Sequence, residues 1–129
     1  MTPYYKIMDF SENSGVKTLF HANYGSKTIP LKEWVYASRY ELVSDGSSST
    51  KYMSGWHVFK TLDEAKKYLF EGFKALHQKV IIKCYCMGDI RPKYHSRANV
   101  WLCQGIYLDE IVFLYLDPKN YKKVLDKVA

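Results

Sequence analysis

The alternation of apolar and polar positions divides the chain into strand-like segments around one strongly amphipathic stretch. Residues 3–10 (PYYKIMDF) read as a first strand, with Tyr5, Ile7 and Asp9 on one face. Residues 11–15 (SENSG) form a turn by composition. Residues 16–22 (VKTLFHA) alternate again, Val16, Thr18 and Phe20 against Lys17, Leu19 and His21, and predict a hairpin with the first segment. Residues 30–40 (PLKEWVYASRY) predict a short helix. Pro30 suits a first helical turn, and Leu31, Trp34, Val35 and Ser38 share a face. The tract 44–50 (SDGSSST) is the most polar in the chain and reads as a loop.

The amphipathic stretch is 61–78 (TLDEAKKYLFEGFKALHQ). Thr61 and Glu64 have the spacing of a capping box, in which each side chain reaches the other's backbone N–H. Leu62, Ala65, Leu69, Phe73 and Leu76 fall at helical spacing on one face. Gly72 costs ~1 kcal/mol against Ala inside a helix, so a close contact is expected there. Residues 79–87 (KVIIKCYCM) predict a buried strand, with Val80, Ile82, Cys84 and Cys86 pointing one way. Two more strands are expected at 99–108 and 111–116, with Asp109-Glu110 as the hairpin loop between them. Asp117 as N-cap and Pro118 at the first helical position predict a last helix, with Tyr121, Val124, Leu125 and Val128 as its apolar face. A run of strands after a long helix argues for one α+β domain over 1–129. It would hold a mostly antiparallel sheet of about five or six strands and two or three helices.

Composition narrows the class of protein. With 129 residues, 47% hydrophobic, the chain is a single globular domain. No apolar run approaches the ~18–20 residues of a membrane span, and the N-terminus does not read as a secretion signal. Twelve Tyr, six Phe and three Trp supply either a compact core or a stacking and interface surface. The formal charge of +6 fits a solvated basic surface or a specific anion site. Cys84 and Cys86 share a strand face ~6–7 Å apart, too far for a relaxed disulfide, and with Cys103 they match no zinc spacing. Buried thiols in a reducing cytoplasm are expected, with no metal and no cofactor. There is no G-x-S-x-G, no P-loop and no H-E-x-x-H.

Three tracts carry candidate chemistry. An extended 93–97 would align Lys93, His95 and Arg97 on one side, three donors suited to phosphate or carboxylate. The same tract also fits a solvated basic loop, or an arginine pairing with Asp89 or Asp109. Gly55-Trp56-His57-Val58-Phe59 precedes the capped helix, and His57 is either a ligand donor or a satisfied core histidine. His21, at a strand end before a Gly/Ser loop, is either a surface histidine or a donor to a sugar hydroxyl or amide.

Two of these tracts together resemble the ADP-ribosyltransferase superfamily of the diphtheria-toxin and PARP type. The residues in question are Leu19-Phe20-His21-Ala22, Gly55-Trp56-His57-Val58-Phe59, and then Ala65 and Tyr68. The resemblance implies that His21 contacts the ribose and amide side of NAD and that His57 flanks the nicotinamide ring. It departs from the family at Ala22, where the family has Gly. It departs again at 99–104 (NVWLCQ), which lacks the catalytic Glu, so no catalytic residue is assigned. The chain also looks like small proteins encoded by phages and other mobile elements.

The leading expectation is a cytoplasmic binding protein for a nucleotide-like or anionic small molecule, acting against host defence if phage-encoded. Its pocket would be lined by His21, His57, Lys93, His95 and Arg97, with Tyr52 and Trp56 as aromatic walls. The alternatives are an interaction module that inhibits an acidic protein partner, and an ADP-ribosyltransferase-like enzyme. Nucleic acid ranks lower as a partner.

Overall fold

The computed structural model describes residues 1–11, 15–18, 28–37, 42–44, 51–53, 55–73, 78–93 and 99–116. In chain order these form β1 (Pro3–Ser11), β2 (Gly15–Thr18), β3 (Trp34–Tyr36), β4 (Leu42–Ser44), β5 (Lys51–Met53) and β6 (Trp56–Phe59). Then follow α1 (Leu62–Gly72), β7 (Lys79–Met87), β8 (Arg91–Pro92), β9 (Val100–Cys103) and β10 (Gly105–Tyr115). An eight-stranded sheet runs β3-β10-β7-β1-β6-β9-β8, with β2 paired to β1, and β4-β5 form a separate ribbon. Every pairing is antiparallel. The protein is thus a mostly antiparallel, strand-rich relative of the expected α+β class, with one helix among the described residues. More strands and fewer helices are present there than the hydrophobic pattern predicts.

The sheet curls back on itself. Only Gln104 separates β9 from β10, so the ends of those strands lie within about 7 Å of each other. In a flat sheet, strands four places apart would be about 19 Å apart at ~4.8 Å per step. The set β10-β7-β1-β6-β9 must therefore curl into a partly open barrel whose corner is at Gln104, with β3 and β8 as its edges. Two register shifts in β10, at Leu108/Glu110 and Ile111/Phe113, supply extra bend. The indole N–H of Trp56 on β6 donates to the Val35 carbonyl on β3 at 3.1 Å, across the interior.

Alternation then sorts each strand into an inner and an outer face. Met8, Trp56, Val58, Ile82, Cys84, Cys86, Cys103, Ile106 and Leu108 belong to one buried cluster, which fills the interior. Ile7, Phe59, Ile81 and Val100 form a second cluster outside, covered by Ala65 and Leu69 of α1. Each fully buried aliphatic side chain of this kind is worth ~1.5–3 kcal/mol. Lys79 is buried beside this layer, paired with Asp9 and 5.1 Å over the Phe73 ring.

Several predicted elements are confirmed and several corrected. The β1–β2 hairpin forms, with Phe10 opposite Val16. β7 has the predicted limits and faces. Thr61 caps α1, accepting from the Glu64 amide at 3.1 Å, while the Glu64 carboxylate accepts from Asn99 instead of turning back. The helix stops at Gly72, and Phe73 is extended, although its ring still packs on the outer cluster. A Cβ at Gly72 would meet nothing within 4 Å, so no close contact explains that glycine.

The helix predicted at 30–40 is absent among the described residues. Lys32 sits at φ 63°, which breaks a right-handed helix, and Trp34, Val35 and Tyr36 pair with β10 instead. Nor is Asp109-Glu110 a hairpin loop. Neither residue supplies the positive φ of a tight turn, and β10 runs through them with Asp109 as the extra residue of a bulge. The break falls at Gln104 instead. The predicted last helix from Asp117, and the loop residues 45–50, lie outside the described residues.

Candidate functional site

The expected ligand-binding residues divide into three groups. His21, His95 and Arg97 lie outside the described residues, and Tyr52 is placed only by its strand, β5, opposite Val43. Trp56 is 8% exposed, sits in the interior cluster and spends its N–H on Val35, so it is a core residue here. His57 and Lys93 are both half-buried, and the structure brings them together.

Their meeting follows from register. On β6, Trp56 and Val58 point inward, which turns His57 to the outer face. His57 is opposite Leu102 on β9, and Arg91 on β8 is opposite the same Leu102 from the other side. The Lys93 amide donates to the Val100 carbonyl at 2.9 Å, which carries the β8–β9 pairing one step further. The register therefore sets His57, Arg91 and Lys93 in one phase of neighbouring strands, beside Leu102 and Val100, with the Lys93 charge acting on His57 and that of Arg91 on Cys103. Arg91 is also held by Asp89, at 3.7 Å between side chains and 3.5 Å to the backbone carbonyl.

The electrostatics are one-sided. Burial holds the His57 imidazole well below its ordinary value, and the ammonium groups of Lys6 and Lys93 push it further down. The ring is therefore neutral at pH 7, with one nitrogen able to donate and one to accept.

Lys6 is the residue that sequence reasoning missed. It lies on β1 in the inward phase, between Tyr4 and Met8, and is 5% exposed. Its ammonium donates to the His57 carbonyl at 2.8 Å and lies 6.0 Å from the centre of the Trp56 ring. Burial lowers its proton affinity, against the pull of Cys84, Cys103 and Cys86. The readable signal was a charged residue in the apolar phase of a strand.

The three thiols are free and buried, as the sequence suggested. Cys103 pulls the Cys86 thiol down, but Cys84 and burial outweigh it and lift Cys86 to about 12. The hydrogen bond with Cys86, reinforced by burial, raises Cys103 as well. Both stay protonated at neutral pH, which removes them as nucleophiles. Among the described residues no group of three or more His, Cys, Asp or Glu is arranged to hold a metal ion. No described helix is long and apolar enough to cross a membrane.

Fold and site together define a class only: a curled, mostly antiparallel β domain with one covering helix among the described residues and a cationic cluster at one sheet edge. No family model, curated protein or solved structure matches the chain.

Proposed function

We propose that this protein binds an anionic small molecule of the nucleotide-phosphate class at the β6–β9–β8 edge. His57, Arg91 and Lys93 form the recognition surface, and Lys6 adds positive field from beneath. The observation that carries this reading is the Lys6 ammonium 2.8 Å from the His57 carbonyl, with Arg91 and Lys93 in the same phase as His57 on the strands beside it. A phosphate placed there offsets the positive field that Lys6 and Lys93 exert on His57 and accepts hydrogen bonds from Arg91 and Lys93. His95 and Arg97 follow Lys93 directly in the chain, so the same tract offers more donors.

Calorimetry of the whole chain against ADP-ribose, NAD, cyclic dinucleotides and pyrophosphate tests this. A saturable heat with at least one of them is expected, and Lys93→Glu should weaken it by about tenfold or more. Silence across the panel, or full affinity in the variant, removes the proposal. Affinity for single-stranded nucleic acid that falls steeply with salt would point to a polyanion instead.

A further inference from the structure

A second surface lies on the outer face of β3, β10 and β7, at the end away from α1, whose Phe70 and Lys66 pack on Phe113 and Tyr115 farther along β10. Trp34, Tyr107 and Tyr85 stand in a row across three strands, as the registers Tyr107↔Trp34 and Tyr107↔Tyr85 require. Trp34 and Tyr107 have ring centroids 5.6 Å apart, and Tyr85 and Tyr107 6.4 Å. All three are half-buried, and neighbouring rings are tilted by 50° and 43°. One row further on, Tyr36 is 57% exposed. Its ring lies flush on Gly105, where a Cβ would come within 2.8 Å of it, and its hydroxyl donates to the Met87 sulfur at 3.2 Å. Glycine at 105 thus leaves the room that an aromatic ring takes up beside the backbone.

The rim of this platform is charged but balanced. Asp109, the bulge residue, bridges Lys32 and Lys83, and Glu110 takes Lys83 at 2.9 Å. The network abuts the rings, since Tyr107 acts on the Lys32 ammonium and Tyr85 on that of Lys83. Two lysines against two carboxylates leave no net charge for a polyanion.

We infer that the platform of Trp34, Tyr36, Tyr85 and Tyr107 binds a neutral oligosaccharide. Pyranose rings have apolar C–H faces that lie on aromatic faces, and each hydroxyl both donates and accepts. The ammonium donors and carboxylate acceptors along the rim match that dual character. A proline-rich peptide also seeks aromatic rows, but its prolines carry no N–H to offer Asp109 and Glu110. The surface is separate from the anion site, uses none of its residues and stands or falls without it.

The test is titration of the full chain with cellohexaose, chitohexaose, laminarihexaose and mannohexaose, followed by calorimetry and by tryptophan fluorescence. Saturable binding of at least one neutral hexasaccharide is expected, with a change in emission from Trp34. Tyr107→Ala should weaken it about tenfold or more, and Tyr36→Ala, at an exposed position, should also weaken it. Lys93→Glu should leave it intact. No binding at millimolar sugar, or binding indifferent to Tyr36→Ala, overturns the inference. Saturation by a decaproline peptide in place of the sugars does the same.

Discussion

At the level of single residues, the interior of the barrel accepts a lysine and the outer face accepts a histidine that resists its proton. Both facts trace to strand phase. His57 is turned outward because Trp56 and Val58 fill the inward positions of β6. The Gly-Trp-His-Val-Phe tract made that alternation legible in the sequence, but the choice of face depends on partners four strands away. Lys6 was hidden for the same reason: a lysine flanked by tyrosine, isoleucine and methionine reads as the polar member of an alternating strand. The depressed proton affinity of His57 has a consequence for stability. In the unfolded chain the imidazole takes its proton near ~6.5, while in the fold it does so only well below that. Between those values the unfolded state binds more protons, so stability falls as pH drops through that window. His57→Gln keeps a hydrogen-bonding side chain without a titration there. Urea midpoints at about pH 7 and about pH 5 should therefore fall less in the variant than in the parent. Parallel losses in the two proteins would show that His57 carries none of the acid sensitivity.

At the level of elements, local signals fared well where local physics decides. The capped helix start, the β1–β2 hairpin and the whole of β7 were legible because capping, turn composition and period-two alternation are short-range. The β9–β10 break was not. Its position is imposed by closure of the sheet, which asks a continuous apolar run to turn a corner at Gln104. Likewise β3 is extended because the edge of β10 offers it a partner, and no window of eleven residues contains that information. The two glycines flanking these elements separate a tight corner from an open helix end. A Cβ at Gly55 would lie 2.8 Å from the Cys103 carbonyl oxygen, a backbone atom with little room to give. Gly55→Ala should cost ~1–3 kcal/mol in urea unfolding. Gly72→Ala, with nothing within 4 Å, should be neutral or stabilising by up to ~1 kcal/mol. Equal costs for the two substitutions would contradict the corner described at β9–β10.

At the level of the whole molecule, contacts between strands remote in order hold the curl of the sheet. Trp56 is central among them, since it reaches from β6 to the edge strand β3 through the interior. Lys6 reaches the His57 carbonyl between the neighbouring strands β1 and β6, so the cationic cluster rests on adjacent pairing and not on that long-range contact. Trp56→Phe keeps an aromatic ring in the core but withdraws the N–H, leaving the Val35 carbonyl without that donor. The expected loss is ~1–3 kcal/mol, the cost of a polar group deprived of its partner inside a protein. The loss should be local before it is global. Ala37, immediately after β3, donates its amide to the Gln104 carbonyl at 2.7 Å, beside the corner. Hydrogen exchange at Ala37 should therefore accelerate more in the variant than exchange at Ile81 or Ile82 in the centre of the sheet, because edge segments open by smaller fluctuations than central strands. If Ala37 keeps its protection relative to those central amides, the indole bond merely seats the ring, and the barrel is closed by the β9–β10 chain alone.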